Sequence, residues 1–428
     1  MKAFEFQPEF NKTLLDQGVR VLSEHHPYSR ATCASVYVDL GSRHEPQPLM
    51  GAAHFIEHLV FKGTKTRSSL DIARALEAVG GELNAFTGRE ATCFHGATLK
   101  EHLQLNLDVL LDLVSSAQFE PGEFERERQV ILQEIDMSVD QLEEYIFDLY
   151  FEQVYQGQPL GQPILGTKQS LLGMSRDQLF SYYQSFYCGP HLVVSVAGDV
   201  DHSQLVDWVG DKLKEWAPQP APDKRPLPPP QPKAFRHWVQ RPSEQVHLVM
   251  GYPSAPFMSP LRFESYLVNA LLGGGMTSRL YQIIREERAL AYSVYSLLHS
   301  FVDSGLLAFY AGTQAESLAE VMGVIRDQVA LLKTQGVSIE ELEFFKTQVK
   351  GQILLAADDI ENRMNSLAVN EMVFGEYRSV ESVIGEIEKV NRDSVQEYLE
   401  SFLKPEDLGV LILGDLPESQ AEQCLKEI

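Results

Sequence analysis

A proline-rich segment divides this chain of 428 residues into two nearly equal halves. Residues 217–233 read APQPAPDKRPLPPPQPK and hold eight of the 22 prolines in the sequence. Proline restricts its backbone and gives up its amide donor, and this segment has almost no apolar content to pack, so it is typical of a stiff, extended linker. We therefore predict two domains, residues 1–216 and 234–428, joined by this linker.

The two halves resemble each other at a constant spacing of 216 residues. The segment 175–186 (SRDQLFSYYQSF) corresponds to 391–402 (NRDSVQEYLESF), and a Gly-Asp pair follows each of them, at 198–199 and 414–415. A spacing shared by two separate features indicates an internal duplication. We expect the fold class α+β, with two homologous α/β-sandwich domains, each an antiparallel-rich sheet with helices packed on it.

One segment of the first half, residues 51–64 (GAAHFIEHLVFKGT), contains the pattern H-x-x-E-H. His54, Glu57 and His58 form this pattern in a run without breakers whose apolar spacing predicts a buried helix. Residues four apart share a helix face, so His54 and His58 can direct two imidazoles at one metal ion. Glu57 lies beside them, where a carboxylate that does not bind the metal can accept a proton from water. The alternative is that two histidines and a glutamate meet here without any metal.

A second predicted helix supplies a third candidate ligand. Residues 123–137 follow a Pro-Gly pair, contain no breaker, and place Glu127 and Glu134 on one stripe with Phe124 and Ile131. We expect this helix to continue through Asp140 to Tyr150. Burying two carboxylates among core residues is costly unless a cation compensates their charge. Beside the histidine helix, we interpret Glu134 as the third ligand. The alternative is a partly exposed stripe whose carboxylates are solvated or paired with arginines of the same helix.

This arrangement resembles the inverted-motif zinc peptidases, a family that includes pitrilysin, insulin-degrading enzyme, the mitochondrial processing peptidase and small two-domain bacterial members. The match consists of H-x-x-E-H followed 76 residues later by a glutamate, and the resemblance extends over nearly the whole chain. It implies that His54, His58 and Glu134 hold one Zn²⁺. Glu57 would be the general base, and Glu127 would support the ligands. The family also implies two domains that face each other around a chamber, in which unfolded peptides are cleaved.

The resemblance assigns a role to the segment 82–90 (ELNAFTGRE). From its sequence alone, this segment predicts only the first half of a hairpin. In the family, an N-A-x-T strand is the sheet edge along which the substrate lies as an added strand. Asn84 and Ala85 match that position and are therefore candidate substrate-binding residues.

In the second half, residues 272–293 (LGGGMTSRLYQIIREERALAYS) match a family signature in which an Arg and a Tyr seven residues apart act at the active site. Arg285 and Tyr292 occupy these positions, while Ala289 stands where the family often has Gly and is expected to stiffen the turn. The alternatives are a surface ion pair between Arg285 and adjacent glutamates, and strand packing for Tyr292. The glycines lack both G-K-[ST] and GxGxxG, which disfavours a nucleotide site.

The composition restricts the partners and the compartment. The net charge of −24 argues against nucleic acid and against anionic membrane surfaces. Four scattered cysteines favour a reducing compartment over a disulfide framework, and no apolar run approaches membrane-spanning length. The first twelve residues lack the features of a secretory signal. We therefore expect a cytoplasmic protein.

These observations predict a zinc-dependent metalloendopeptidase that hydrolyses unfolded peptides or short polypeptides. Both signatures lie on one chain, so we expect a homodimer or a monomer. The alternatives are a catalytically silent relative with a structural role and a peptide-binding module that retains zinc for stability. The second half contains no H-x-x-E-H, which predicts a domain without a metal motif.

Overall fold

The structure, a computed structural model, describes residues 8–216 and 227–427 and divides into two compact units. Most of the predicted linker, residues 217–226, lies outside the described residues. Residues 227–233 have no regular secondary structure, as the proline content predicts.

Each unit combines three segments of the chain. The first unit comprises Met1–Ile135, Gln162–Leu227 and Leu355–Arg378, and the second comprises Asp136–Gly161, Pro228–Leu354 and Ser379–Ile428, as far as these residues are described. Each half of the sequence therefore contributes one short segment to the unit that is built mainly from the other half. We predicted the continuous ranges 1–216 and 234–428 from the sequence. That prediction places neither of these short segments in the other unit.

Across the described residues, eleven strands form two sheets. The strands are β1 (Glu9–Leu14), β2 (Arg20–His25), β3 (Ala31–Val38), β4 (Glu82–Thr87), β5 (Thr92–Leu99), β6 (Leu192–Gly198), β7 (Phe235–Gln240), β8 (Val246–Pro253), β9 (Ala291–Ser300), β10 (Gly305–Thr313) and β11 (Gly409–Gly414). The first sheet has the order β1-β2-β6-β3-β5-β4, and the second has the order β7-β11-β8-β10-β9. Without β1, the two orders correspond strand by strand, as a duplication requires.

Both sheets are rich in antiparallel pairs, which confirms the predicted fold class. The pairs β2/β6 and β7/β11 are parallel, and the other neighbouring strands are antiparallel. Strand β4 lies at one edge of the first sheet, next to β5. The backbone of its other side therefore has no strand partner among the described residues.

The sheets are covered by fifteen α-helices within the described ranges, none of them both long and apolar enough to span a membrane. The helices are α1 (Ala52–Val60), α2 (Ser69–Glu77), α3 (Leu103–Ser116), α4 (Pro121–Asp140), α5 (Leu142–Val154), α6 (Lys168–Gly173), α7 (Arg176–Phe186), α8 (His202–Lys212), α9 (Arg262–Gly273), α10 (Leu318–Gln335), α11 (Ile339–Ala357), α12 (Ile360–Phe374), α13 (Val380–Lys389), α14 (Arg392–Phe402) and α15 (Glu418–Lys426). Helices α7 and α14 keep the spacing of 216 residues that the sequence predicts.

Two local predictions differ from the structure. The helix expected to run from residue 123 towards residue 150 is interrupted at Gln141, whose ψ of 76° lies outside the helical region, so α4 and α5 are separate. Strand β1 was not predicted, because its sequence EFNKTL carries mostly polar side chains. It is an edge strand that pairs with β2 through its backbone, which requires little apolar content.

The central strands of each sheet are buried on both faces. In the first unit, α1, α3, α7 and α8 contribute to the core on one face, and α12 contacts β2, β3 and β6 on the sheet. In the second unit, α9, α10 and α14 share a core with the sheet, and α5 contacts β8 and β11. The two exchanged segments, α12 and α5, thus hold equivalent places in the two units.

A buried ion pair attaches α12 to the first sheet. Arg363 donates two hydrogen bonds to the Glu24 carboxylate, at 2.8 and 2.6 Å, and both side chains are buried. Tyr377 and His26 also contact this carboxylate, at 3.0 and 2.7 Å. Burial alone raises the pKa of Glu24, but these partners outweigh it and lower the pKa to about 2.

We predict that Arg363→Ala lowers the free energy of unfolding by about 3–5 kcal/mol, because it leaves Glu24 as an uncompensated buried charge. Urea unfolding of the metal-free protein measures this loss. Lys426→Ala, which removes an exposed pair with Glu422, is the control and should change stability by less than about 0.5 kcal/mol. Equal effects of the two substitutions would contradict the role given to Arg363.

The same pair sets a dependence on pH. Because the pKa of Glu24 is lowered by folding, its contribution to stability is fully present above a pH of roughly 4.3, the ordinary value for a glutamate, and is lost as the pH falls towards 2. The difference in stability between the wild type and Glu24→Gln should therefore shrink between pH 5 and pH 2. A difference that stays constant over this range would show that Glu24 is not ionised in the folded protein.

Candidate metal centre and active site

The helix that carries the H-x-x-E-H pattern begins at a fixed point. Gly51 precedes α1 with φ at +90°, and a Cβ there would lie 2.7 Å from the carbonyl oxygen of Leu165, so no other residue fits easily. The carboxylate of Glu45 accepts hydrogen bonds from the backbone N–H groups of Gly51 and Ala53, at 2.7 and 2.6 Å. A carboxylate at a helix N-terminus satisfies free N–H groups and complements the helix dipole. Burial raises the pKa of Glu45 to about 8, against these two donors.

Three side chains of the first unit converge on one point. His54 and His58 from α1 and Glu134 from α4 each offer a ligand atom, and these atoms lie within 4.8 Å of one another. The Nε2 atoms of His54 and His58 lie 3.7 and 3.5 Å from the two carboxylate oxygens of Glu134. In the described parts of the chain, no other group of three His, Cys, Asp or Glu side chains meets this criterion.

These distances fit a tetrahedral metal better than direct hydrogen bonds. Nitrogen and oxygen ligands bind zinc at about 2.0–2.2 Å, which separates the ligand atoms of a tetrahedral site by roughly 3.4 Å. The distances of 3.7 and 3.5 Å, which run to different oxygens of Glu134, are near that value and exceed those of normal N–H···O hydrogen bonds. Two imidazoles and one carboxylate also form a donor set that leaves a fourth position open. The residues therefore fit a zinc ion.

The protonation of His54 suits metal binding. Burial, and secondarily the nearby His58, lower the pKa of His54 to about 3, so its imidazole is neutral at neutral pH. A neutral imidazole is the form that binds a metal. The ring planes of the two histidines lie at 62° with centroids 4.7 Å apart, so their faces are not stacked.

A buried carboxylate contacts one of the candidate histidine ligands. Nδ1 of His58 lies 3.1 Å from the carboxylate of Glu127, which is buried on α4, and Lys62 contacts the other oxygen of this carboxylate at 2.9 Å. A carboxylate that accepts the second ring N–H orients a ligating histidine and raises its basicity. This contact agrees in position with the supporting role predicted for Glu127. Nδ1 of His54, by contrast, is buried without a hydrogen-bond partner in the described structure.

Glu57 lies on the same helix but is bonded elsewhere. The hydroxyl of Thr87, on the edge strand β4, donates to Oε2 of Glu57. Burial raises the pKa of Glu57, while Thr87 and His58 lower it and Glu134 raises it further, and the net direction is upward. A carboxyl group with a raised pKa can exchange protons nearer neutral pH than an exposed glutamate.

The candidate substrate-binding residues lie on β4. The side chain of Asn84 is exposed, whereas Ala85 packs against the core. The backbone N–H of Ala85 donates to the side-chain oxygen of Asn84 at 2.8 Å. The edge position agrees with the family expectation, and substrate binding there stays a prediction.

In the second unit, Arg285 and Tyr292 contact each other. Arg285 donates a hydrogen bond to the carbonyl oxygen of Tyr292 at 3.0 Å, and its guanidinium lies 4.3 Å from the Tyr292 ring and 5.0 Å from the Tyr281 ring. The nearest carboxylate, Glu286, is 3.8 Å away. Tyr292 is 74% exposed, so it does not pack within the sheet. Their action at the metal centre stays a prediction.

The segment that holds this pair has two irregular features. Tyr281–Glu287 is a π-helix, a conformation that is frequent at functional sites. After it, Ala289 has φ at +49°, in the left-handed region that favours glycine. This explains why a glycine suits that position, and it means that the alanine is strained and not only stiffening.

Three side chains of the first unit contact the site although no sequence pattern predicted that they would. Glu45, Thr87 and Lys62 contact α1 or its ligand-supporting carboxylate through tertiary structure. Thr87 is part of the N-A-x-T pattern, but the pattern does not reveal which face of the strand meets α1. No local signal distinguishes Glu45 or Lys62 from ordinary surface charges.

Comparisons with known proteins identify the family of this chain. The family model described as "Insulinase (Peptidase family M16)" matches residues 20–168, and the model "Peptidase M16 inactive domain" matches residues 173–349. An uncharacterized zinc protease of Mycobacterium leprae is 37% identical over 407 residues, covering 94% of this chain and 91% of the relative. An uncharacterized zinc protease of Bacillus subtilis is 34% identical, covering 94% of this chain and 98% of the relative.

Solved structures match over the same extent. A protease from Helicobacter pylori has a TM-score of 0.87 at 20% identity, covering 95% of this chain and 100% of the solved chain. A putative M16-like peptidase from Alicyclobacillus acidocaldarius has a TM-score of 0.86 at 21% identity, covering 96% and 99%. At this level of identity, the similarity supports the two-domain fold.

We predict that Glu127→Gln weakens zinc binding by about 10- to 100-fold, because the amide is a poorer acceptor for the His58 ring N–H. Competition with a chromophoric chelator measures the affinity. Glu125→Gln changes an exposed carboxylate of the same helix and should leave it unaltered. An unchanged affinity in Glu127→Gln would show that the contact with His58 does not support a metal.

Strain at Ala289 yields a second prediction. Ala289→Gly should leave the free energy of unfolding unchanged or raise it by up to about 1 kcal/mol, because relief of the left-handed conformation outweighs the added freedom of the unfolded chain. Ala330→Gly, in the exposed part of α10, should instead lower it by about 1 kcal/mol. Chemical denaturation compares the two, and a loss as large in Ala289→Gly as in Ala330→Gly would refute the strain.

Proposed function

Because this chain belongs to peptidase family M16, we propose that it is a zinc-dependent endopeptidase that hydrolyses unfolded peptides or short polypeptides. The observation that carries the proposal is the convergence of His54, His58 and Glu134, with Glu57 on the same helix. The names of the relatives, which are zinc proteases, support a peptidase.

In this proposal, His54, His58 and Glu134 hold one Zn²⁺ per chain. A bound zinc ion would supply Lewis acidity to a water molecule and to the substrate carbonyl. The buried position of His54 keeps its imidazole neutral and available, and Glu127 fixes the ring of His58 through Nδ1. These side chains lie on two regular helices, α1 and α4, which support them better than loops would.

Glu57 is the proposed general base. Its Oε2 accepts the hydroxyl of Thr87, and within the described residues no protein donor contacts Oε1. Oε1 would accept a proton from the attacking water and later deliver it to the leaving amine. The burial that raises the pKa of Glu57 favours this return of the proton.

Substrate would bind as an extended strand along β4, with Asn84 and Ala85 in contact with its backbone. The support for this step is the edge position of β4, whose outer side has no strand partner in the described structure. Binding there would replace the contact between the Ala85 N–H and the Asn84 side chain with a bond to the substrate.

Arg285 and Tyr292 are proposed to act in the same reaction. A guanidinium and a phenol can hold the substrate backbone and stabilise the negative charge that develops on its carbonyl oxygen. The support is their mutual contact, which presents an exposed Tyr292 beside a partly exposed Arg285.

Four broader proposals concern the chamber, the oligomeric state, the compartment and the partners, and the first of them rests on the family resemblance. The substrate would be enclosed in a chamber that excludes folded proteins by size. The protein would be a homodimer or a monomer in the cytoplasm, and its four cysteines, all free and buried, suit a reducing compartment. The strongly negative charge disfavours nucleic acid and membrane partners.

We predict that Glu57→Gln reduces the cleavage of unstructured peptides by at least about 100-fold while it retains zinc, because the amide cannot accept the proton. A pool of such peptides, read by mass spectrometry, measures cleavage, and elemental analysis measures zinc. A chelator should abolish cleavage by the wild type, and added zinc should restore it.

Glu77→Gln, the same change at an exposed position of α2, is the matched control. Equal cleavage by the wild type and Glu57→Gln would show that Glu57 is not the base. Zinc binding without cleavage by the wild type would instead favour a silent or peptide-binding member of the family.

A further inference from the structure

The edge strand of the first sheet and the proposed base are joined directly. Oγ1 of Thr87 donates a hydrogen bond to Oε2 of Glu57 at 2.5 Å. The hydroxyl is the only possible donor in this pair if the carboxylate is ionised, and hydrogen bonds to a charged acceptor are short and strong. The orientation of this carboxylate therefore depends on where β4 places Thr87.

Strand geometry determines which face of β4 meets α1. Side chains alternate along the strand, and Leu83 and Ala85 pack against the core that includes α1. Thr87 follows in the same alternation and is the one polar member of this set. Phe86 points to the other face, where its ring lies 6.1 Å from those of Tyr37 and His95.

The position of Thr87 is fixed by the turn that follows it. Gly88 donates to the carbonyl oxygen of Ala91 at 2.8 Å, which closes the hairpin between β4 and β5. The backbone N–H groups of Ser42 and Arg43 donate to the carbonyl oxygens of Gly88 and Arg89, at 3.1 and 3.0 Å. The hairpin is therefore held on two sides.

The segment 41–45 that holds this hairpin also holds α1. Gly41 approaches it so closely that a Cβ would lie 2.4 Å from the carbonyl oxygen of Gly88. Four residues later, Glu45 accepts the two N–H groups at the start of α1. One short segment thus connects the strand that carries Thr87 to the helix that carries Glu57, through backbone contacts to the hairpin and the Glu45 carboxyl group at the start of α1.

We propose that Thr87 is a positioning residue for Glu57, which holds Oε2 so that Oε1 is presented to the water and the scissile bond. This inference rests on the proposed function. It adds that one strand sets both the path of the substrate, along its backbone edge, and the direction of the base, through its inward side chain.

We expect Thr87→Val to lower kcat by about 10- to 100-fold with little change in KM, because a misdirected base affects the reaction more than binding. Thr87→Ser, which keeps the hydroxyl, should retain kcat within a few-fold. Thr87→Ala is a second variant without the hydroxyl, and its kcat should fall by a factor similar to that of Thr87→Val. Zinc content should equal that of the wild type in all three variants.

Thr92→Val is the matched control. Thr92 is the cross-strand partner of Thr87 in the same hairpin, and its buried hydroxyl donates to the Leu40 carbonyl oxygen at 3.0 Å. This substitution should lower the unfolding midpoint but leave kcat unchanged. If Thr87→Val and Thr92→Val lower kcat equally, the effect of Thr87 is structural and the inference is wrong.

A second measurement does not depend on catalysis. Urea midpoints of the metal-free wild type, Thr87→Val, Glu57→Ala and the double variant form a cycle, and we expect the two single shifts to be non-additive. Additive shifts would overturn the inference. A wild type that cleaves no peptide would overturn the proposed function and this inference with it, whereas wild-type kcat in Thr87→Val would overturn the inference alone.

Discussion

The arrangement of helices in the first unit depends on hydrogen bonds to its buried carboxyl groups. A carboxylate removed from water without a partner costs several kcal/mol, so each one fixes the element that supplies its donors. Glu24 holds α12 through Arg363, and Glu45 holds the start of α1 through two backbone N–H groups. Asp112 on α3 accepts hydrogen bonds from the loop 64–67, which follows α1. The helix with the candidate metal ligands is therefore restrained at both ends by buried carboxyl groups that need hydrogen-bond donors.

The two candidate histidine ligands could be predicted because their geometry is local. Residues four apart on a helix share a face whatever surrounds them, and the spacing of His54 and His58 contains that information. The sheet against which α12 packs could not be predicted in this way. The apolar pattern of this helix indicates that it is buried, but not which sheet covers it, and the partner Glu24 lies 339 residues away. The break at Gln141 likewise has no signal in residue types, since it is a backbone dihedral that tertiary packing selects.

The two copies share a scaffold but differ at the place of the candidate ligands. Both sheets keep the same strand order, so the scaffold does not depend on the metal. In the first unit, α1 and α4 carry the candidate ligands. In the second, the helix at the corresponding place, α9, ends in a glycine-rich loop, and the irregular features follow it: a π-helix and the strained Ala289. Local strain is retained where the surrounding structure over-determines it, which is common at functional sites. Among the described residues, the second copy thus has no such group of candidate ligands, and it holds Arg285 and Tyr292 in contact with each other.

An edge strand suits both a base and a substrate, because its paired edge, its free edge and its side chains make separate contacts. One side of β4 pairs with β5 and fixes the register, the opposite side is available to an added strand, and alternate side chains point to the two faces of the sheet. A loop would offer the same hydroxyl without fixing its distance from α1. A central strand would fix the distance but leave no backbone for a peptide. The contact between Thr87 and Glu57 therefore lies where a side chain reaches the helix while the outer edge of the strand has no strand partner in the described parts of the chain.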